Sequence, residues 1–196
     1  MCASYIDGMK VVSKLEKGKE GQLYRVLRRK QPMIAKVYRK NKNQESVEDE
    51  YHFLKKGYEL GISPKVYGYN VGTVNYIVMG ELKQTIFEDI KKTGKLTNQQ
   101  QTRIIKIMEI LDENNLFHGD VSPLNFMTDD NGEIQIIDYG MSKWIDDKFI
   151  DKHGVDSNVK LGLTFFVVKT RKFFPDFNPK LITKKIFSKL DLKTKV

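Results

Sequence analysis

A chain of 196 residues, 40% hydrophobic and 11% aromatic, can bury one substantial core or two small lobes sharing a site, which excludes a disordered segment. Cys2 is the only cysteine, so no intramolecular disulfide forms, and the net charge of +9 selects acidic partners: nucleic acid, nucleotide phosphates, acidic proteins or anionic lipid. The most apolar run, LGLTFFVV at 161–168, is far shorter than the roughly 20 residues of a membrane helix, and MCASYIDGMK has no secretory pattern, so the expectation is a soluble, cytoplasmic protein without a transmembrane segment.

The first third reads as strands. MKVVSKLEKG (9–18) leads through GKEG (18–21) into QLYRVLRRK (22–30), and Gln31-Pro32 turns the chain into MIAKVYRK (33–40). Residues 44–60 read as a helix, with Val47, Tyr51, Leu54 and Tyr58 at three- and four-residue spacing and Gly61 as its stop. KVYGYN (65–70) and NYIVMG (75–80) read as a strand pair. After Glu81 the pattern turns helical: a short helix over 85–94, then a longer one over 97–115. Thr97 and Gln100 suit a capping box, and Ile104, Ile107, Met108 and Leu111 form the apolar stripe. LFHGDVSPLN follows, then a hairpin around Asn131-Gly132 whose second strand ends at Asp138. Trp144 and Phe165-Phe166 read as core. The expected fold class is α+β and bilobal: a β-rich lobe over about 1–82, a reduced helical lobe over 83–196, and a ligand cleft between them.

Four elements could carry chemistry. Gly18 and Gly21 lack a Cβ and permit close approach to phosphates, although the same spacing serves ordinary turns. Lys36 sits mid-strand between Ala35 and Val37, facing either solvent or the cleft. An inward lysine needs a carboxylate. Glu45, Glu48, Asp49 and Glu50 all compete for that place, and Glu50 shares the face of Leu54. Asp120 could accept a proton from an attacking hydroxyl, while Asn125 and Asp138 offer the oxygen ligands that Mg²⁺ prefers, with Gly140 letting the backbone turn.

His118-Gly119-Asp120-Val121-Ser122-Pro123-Leu124-Asn125, followed by Asp138-Tyr139-Gly140, resembles the catalytic loop and metal motif of the protein-kinase superfamily over about residues 10–142. The resemblance implies that Lys36 and Glu50 form the phosphate-positioning pair, Asp120 is the catalytic base, and Asn125 and Asp138 hold the metal. It also implies that Gly18 to Leu23 cover the phosphates, with Gly21 and Leu23 in that loop and Ala35 beside the nucleotide. Met79 would be the gatekeeper, and Gly80-Glu81-Leu82 the hinge that meets adenine. The cofactors implied are ATP and Mg²⁺, with Mn²⁺ as the alternative.

Glu16 stands where the first loop glycine is common, Gly119 replaces an arginine, Ser122 stands where Ser/Thr kinases commonly carry lysine, and no Ala-Pro-Glu follows. These departures resemble the minimal atypical kinases. GKEGQLYR and EYHFLKKGYELGISPKVYGY are similar to the kinase-like ATPase of the KEOPS tRNA-modification complex, and Asp-Val-Ser is similar to RIO kinases. A compact viral or bacterial kinase has the same build, and a viral protein or secreted effector would work in the host cell. The function implied is a Mg·ATP-dependent serine/threonine protein kinase. The alternatives are an ATPase or nucleotide-binding scaffold serving a partner complex, or a small-molecule phosphotransferase. The basic C-terminal stretch, from KTRKFF (169–174) through Lys180, Lys184, Lys185, Lys189, Lys193 and Lys195, suits an acidic protein or RNA partner. His118 reads as a brace for the loop, and Asp156 as either an anchor for the loop backbone or a helix cap.

Overall fold

The structure is a computed structural model that describes residues 4–18, 20–154 and 156–191; Lys193 and Lys195 and the Glu16 side chain lie outside what is described. The fold is α+β, and the chain divides into two compact units at Leu82/Lys83.

In the first unit, β1 (Tyr5–Ile6), β2 (Met9–Lys17), β3 (Gly21–Arg28) and β4 (Gln31–Tyr38) run as antiparallel neighbours. Helix α1 (Gln44–Glu59) follows, then β5 (Val66–Asn70) and β6 (Tyr76–Met79). The sheet order is β1-β2-β3-β4-β6-β5. Strand alternation puts Met33 and Ala35 into one cluster with Met9, Val26, Tyr76 and Val78. Ile34, Lys36 and Tyr38 therefore share the opposite face.

Helix α1 begins where Asn43 accepts the Glu45 N–H and ends at Gly61, whose φ of 70° only glycine adopts readily. Its buried positions are Val47, Glu50, Phe53, Leu54 and Gly57. The expected stripe differs at two positions: Tyr51 is only half-buried and Tyr58 is exposed, because Phe53 and Gly57 turn the buried face away from them.

The second unit opens with β7 (Gln84–Thr85), α2 (Ile86–Thr93) and α3 (Asn98–Glu113). The capping box forms as expected: Gln100 N–H donates to Thr97 Oγ1, and Thr97 N–H donates to Gln100 Oε1. Ile104, Ile107, Met108 and Leu111 are buried. Then come β8 (Leu116–Phe117), β9 (Phe126–Thr128), β10 (Ile134–Ile136), β11 (Lys143–Trp144) and α4 (Asp147–His153). A π-helical turn (Asn158–Gly162) leads into α5 (Leu163–Arg171), and α6 (Lys180–Asp191) completes the unit. The hairpin closes through a five-residue loop in which Asp129 accepts from the Asn131 and Glu133 N–H groups. Its second strand ends at Ile136, two residues before the expected Asp138.

Tyr139, Phe126, Phe166 and Phe177 are the largest fully buried side chains of this unit. Two expected core residues are not core. Trp144 is 52% exposed on the two-residue β11, and Phe165 is 38% exposed on α5, because Leu163, Phe166 and Val167 take that helix's inner face. Among the described residues no helix is long and apolar enough to cross a membrane.

Candidate functional site

In the first unit, Lys36 Nζ lies 2.6 Å from Glu50 Oε1. The Glu50 side chain is 2% exposed and that of Lys36 is 13% exposed. Of the four acidic candidates on α1, Glu50 is the one that the helix period turns inward with Leu54. Desolvating either charge alone is costly, and the close pairing offsets that cost. Lys36 Nζ also lies 3.9 Å from Glu20, and Glu20 accepts from Lys42 Nζ at 2.7 Å. Both ammonium groups rest over the Tyr38 ring, at 5.2 and 6.0 Å from its centre.

The two loop glycines differ in what requires them. A Cβ on Gly21 would lie 2.1 Å from the Val37 carbonyl oxygen, so the close β3–β4 approach demands glycine. A Cβ on Gly18 would meet nothing nearer than 3.9 Å. Leu23 pairs with Lys36 in register, Ala35 with Tyr24 and Val78, and Met79 with Ile34 and Val66. Gly80 N–H donates to the Lys65 carbonyl at 2.7 Å. The Glu81 carboxylate accepts from Arg25 Nε at 2.7 Å and from Nη2 as well, tying the segment before Leu82 to β3.

The second unit builds its cluster from the segment after β8. Gly119 has φ 80°, and a Cβ there would lie 2.2 Å from the Met141 carbonyl oxygen. Local crowding therefore excludes the arginine that many kinases carry at this position. The Asp120 carboxylate is held on both oxygens: Lys169 Nζ donates to Oδ1 at 2.5 Å, and Asn125 Nδ2 donates to Oδ2 at 3.1 Å. Asn125 Nδ2 also donates to the Asp120 carbonyl at 2.7 Å. Burial by itself pushes the Asp120 carboxyl up, but Lys169 and Asn125 reverse this and hold it below its ordinary value.

Ile137 N–H donates to the Asn125 carbonyl at 2.9 Å, which extends the β9–β10 register and brings Asn125 opposite the residue before Asp138. The left-handed backbone falls on Asp138, at φ 66°, and not on Gly140. Aspartate and asparagine tolerate this left-handed region better than other non-glycine residues. The chemistry of the donor set fits a hard divalent cation. Asn125 commits its amide nitrogen to Asp120, so its oxygen is the atom that could serve such a cation, and Asp138 could add a carboxylate.

His118 is fully buried, and burial pushes its imidazole down to about 4 against the pull of Asp138 and Asp120. The ring is therefore neutral near pH 7. Its Nε2–H donates to the Ile137 carbonyl at 3.1 Å, and its Nδ1 accepts the Asp120 N–H at 3.4 Å. His118 thus braces the loop, as expected, and its ring packs against Tyr139 with centres 4.8 Å apart. The Ser122 carbonyl closes the turn by accepting the Asn125 N–H at 3.1 Å.

Asn158 anchors the loop backbone. Asn158 Oδ1 accepts the His118 N–H at 3.0 Å, and its Nδ2 donates to the Leu116 carbonyl at 2.7 Å. Asp112, on α3, orients Asn158 by accepting its N–H and its Nδ2 and also accepts from Ser157 Oγ and Val159 N–H. Two important residues thus escaped the sequence reading. A polar Ser157-Asn158 step before an apolar run marks a helix start and could have pointed to Asn158. The absence of any lysine or arginine in residues 116–127 was the available sign that a cation must come from elsewhere, and Lys169 provides it.

A family model described as the RIO domain matches residues 7–148. The chain is also similar to a protein of Clostridium acetobutylicum described as a "probable serine/threonine-protein kinase", with 29% identity over 113 residues. That similarity covers 50% of this chain and 17% of the relative, so the chain spans a minor part of the relative's length.

Proposed function

The chain belongs to the RIO-domain family of atypical protein kinases, and from that premise we propose that it is a Mg·ATP-dependent serine/threonine protein kinase of minimal type. The observation that carries this reading is the buried Lys36–Glu50 pair at 2.6 Å, a costly arrangement that an ammonium placed for phosphate explains. In the first unit, Lys36, oriented by Glu50, binds ATP phosphates; Gly18, Gly21 and Leu23 cover them; and Ala35, Met79 and the Gly80-Glu81-Leu82 backbone receive the base. In the second unit, Asp120 accepts the proton of the acceptor hydroxyl. Asn125 and Asp138 would hold Mg²⁺, or Mn²⁺ in its place, which supplies charge neutralisation at the phosphates when bound.

A second reading is an ATP-hydrolysing component of a larger assembly that contacts an acidic protein or RNA. The observation in its favour is the exposed cationic series Arg171, Lys172, Lys180, Lys184 and Lys189 on and between α5 and α6. One experiment separates the two: phosphate transfer from γ-labelled Mg·ATP, with wild type and Asp120→Asn side by side. Label on the chain itself or on a protein acceptor, lost in Asp120→Asn, supports the kinase. Free phosphate as the sole product supports the ATPase. Nucleotide binding with neither product overturns both.

A further inference from the structure

The segment that carries Asp120, LFHGDVSPLNFM, contains no cation of its own, yet an ammonium sits on the Asp120 carboxylate. It comes from Lys169, 49 residues away, near the end of α5. The packing of α5 sets its direction. Phe166, Val167 and Thr170 are buried against the unit's core, while Phe165 and Val168 are exposed. Lys169 lies at the border of these faces, partly exposed, with Nζ 5.9 Å from the centre of the Phe165 ring. Thr170 Oγ1 donates to the Phe166 carbonyl at 2.6 Å, so the turn that carries Lys169 is closed locally. An ammonium has three donors and no acceptor. One N–H of Lys169 goes to Asp120 Oδ1, and two remain for a ligand.

We propose that Lys169 is a catalytic residue: its ammonium binds the phosphoryl group during transfer beside Asp120, a cation supplied from α5 because the loop carries none. This rests on the kinase reading above. In the step, the acceptor hydroxyl oxygen attacks the γ-phosphorus. The new O–P bond forms as the bond from that phosphorus to the ADP oxygen breaks, and its electron pair leaves with ADP. The hydroxyl proton passes to the Asp120 carboxylate. A bare carboxylate would repel the incoming phosphoryl oxygens. Lys169 offsets that charge and donates to the oxygens where negative charge gathers. The same ammonium, with Asn125 on the other oxygen, holds the carboxylate at one orientation.

The test uses the full chain as wild type, Lys169→Met and Lys169→Arg. Label from γ-labelled Mg·ATP is followed on the chain itself, on dephosphorylated casein and as free phosphate, with melting temperatures alongside. Lys169→Met is expected to lower kcat by about 100-fold, the scale for removing one preorganised donor, with KM for ATP changed by less than about threefold. Its melting temperature should stay close to wild type, since the ion pair is partly exposed. Lys169→Arg, which keeps a donor and the charge, should recover much of the rate. Wild-type turnover in Lys169→Met overturns the proposal. A faster Lys169→Met also overturns it, by making the contact a brake. Equal loss in both variants with a lowered melting point overturns it in favour of a structural role. A wild type that transfers no label in any channel overturns the kinase reading, and this inference with it.

Discussion

Asn158 and His118 are 40 residues apart, and the Asn158 side-chain oxygen accepts the His118 backbone N–H at 3.0 Å inside the second unit. The same amide donates to the Leu116 carbonyl and to Asp112. The start of the π-helical turn is thereby fastened to the loop that presents Asp120.

Asn158→Ala removes these bonds at a fully buried position and leaves the His118 N–H and the Leu116 carbonyl without that partner. Each buried polar group left unsatisfied costs about 1–3 kcal/mol, so the variant should lose about 3 kcal/mol in total. Urea unfolding of wild type and the variant checks this; an unchanged midpoint would remove Asn158 as the anchor.

The Lys36–Glu50 pair should respond unequally to its two single changes. Lys36→Met takes the counter-ion from a carboxylate that is 2% exposed and should cost about 3–5 kcal/mol. Glu50→Gln leaves a lysine that is more exposed and already 3.9 Å from Glu20, so the loss should be smaller. Lys36→Met/Glu50→Leu should regain much of the stability. Equilibrium unfolding of the three variants decides; equal losses in the single variants would contradict the argument.

Gly119→Arg restores the residue common in the wider kinase superfamily and should nonetheless damage the fold. The backbone has φ 80°, and the new Cβ would meet the Met141 carbonyl oxygen at 2.2 Å. Left-handed strain alone costs about 1 kcal/mol, and the clash adds to it, so a loss of at least about 2 kcal/mol is expected. Gly119→Ala should lose a comparable amount, because the obstruction begins at Cβ. A thermal melt unchanged in both would contradict this.

Acid should destabilise the chain through His118 before it does so through Asp120. The His118 pKa is lowered by folding from 6.5 to about 4, so between these values the unfolded chain binds a proton that the folded chain does not. Stability from this group is complete above about pH 6.5 and falls as pH drops toward 4, by about 3 kcal/mol in all. The Asp120 pKa is also lowered, from 3.8, so its contribution is lost at lower pH, and its partial exposure makes it small. Unfolding measured from pH 7.5 to 4 should show the slope in wild type and a flatter profile in His118→Gln. Parallel profiles would remove His118 as the cause.

Asp138→Asn keeps the side-chain shape and a residue type that tolerates φ 66° but removes the charge. The fold should survive, with melting within a few degrees of wild type, while phosphate transfer falls to background. Asp138→Ala should also abolish turnover. Wild-type turnover in either variant would remove Asp138 from the proposed metal site.

The sequence by itself determined the main elements between residues 9 and 138 and their order. Strand alternation in MIAKVYRK, the three- and four-residue spacing on α1 and α3, and the capping box at Thr97 and Gln100 are local signals, decided within a few residues of the chain. The motif HGDVSPLN and the Asp after the hairpin were legible for the same reason. Tertiary structure alone decided which distant residues meet. Glu50 was singled out of four acidic candidates by its helical face, but its contact with Lys36 exists only once the helix is docked on its sheet. Asn158 anchors the loop because the polar atoms of Asp112, Leu116 and His118 converge on it. Phe165 and Trp144 are apolar yet exposed, since burial depends on what else packs there. Lys169 looked like one more charge in a basic run, and no local pattern links it to Asp120. An ion pair across 49 residues exists only once α5 has packed, because its energy depends on separation in space and not along the chain.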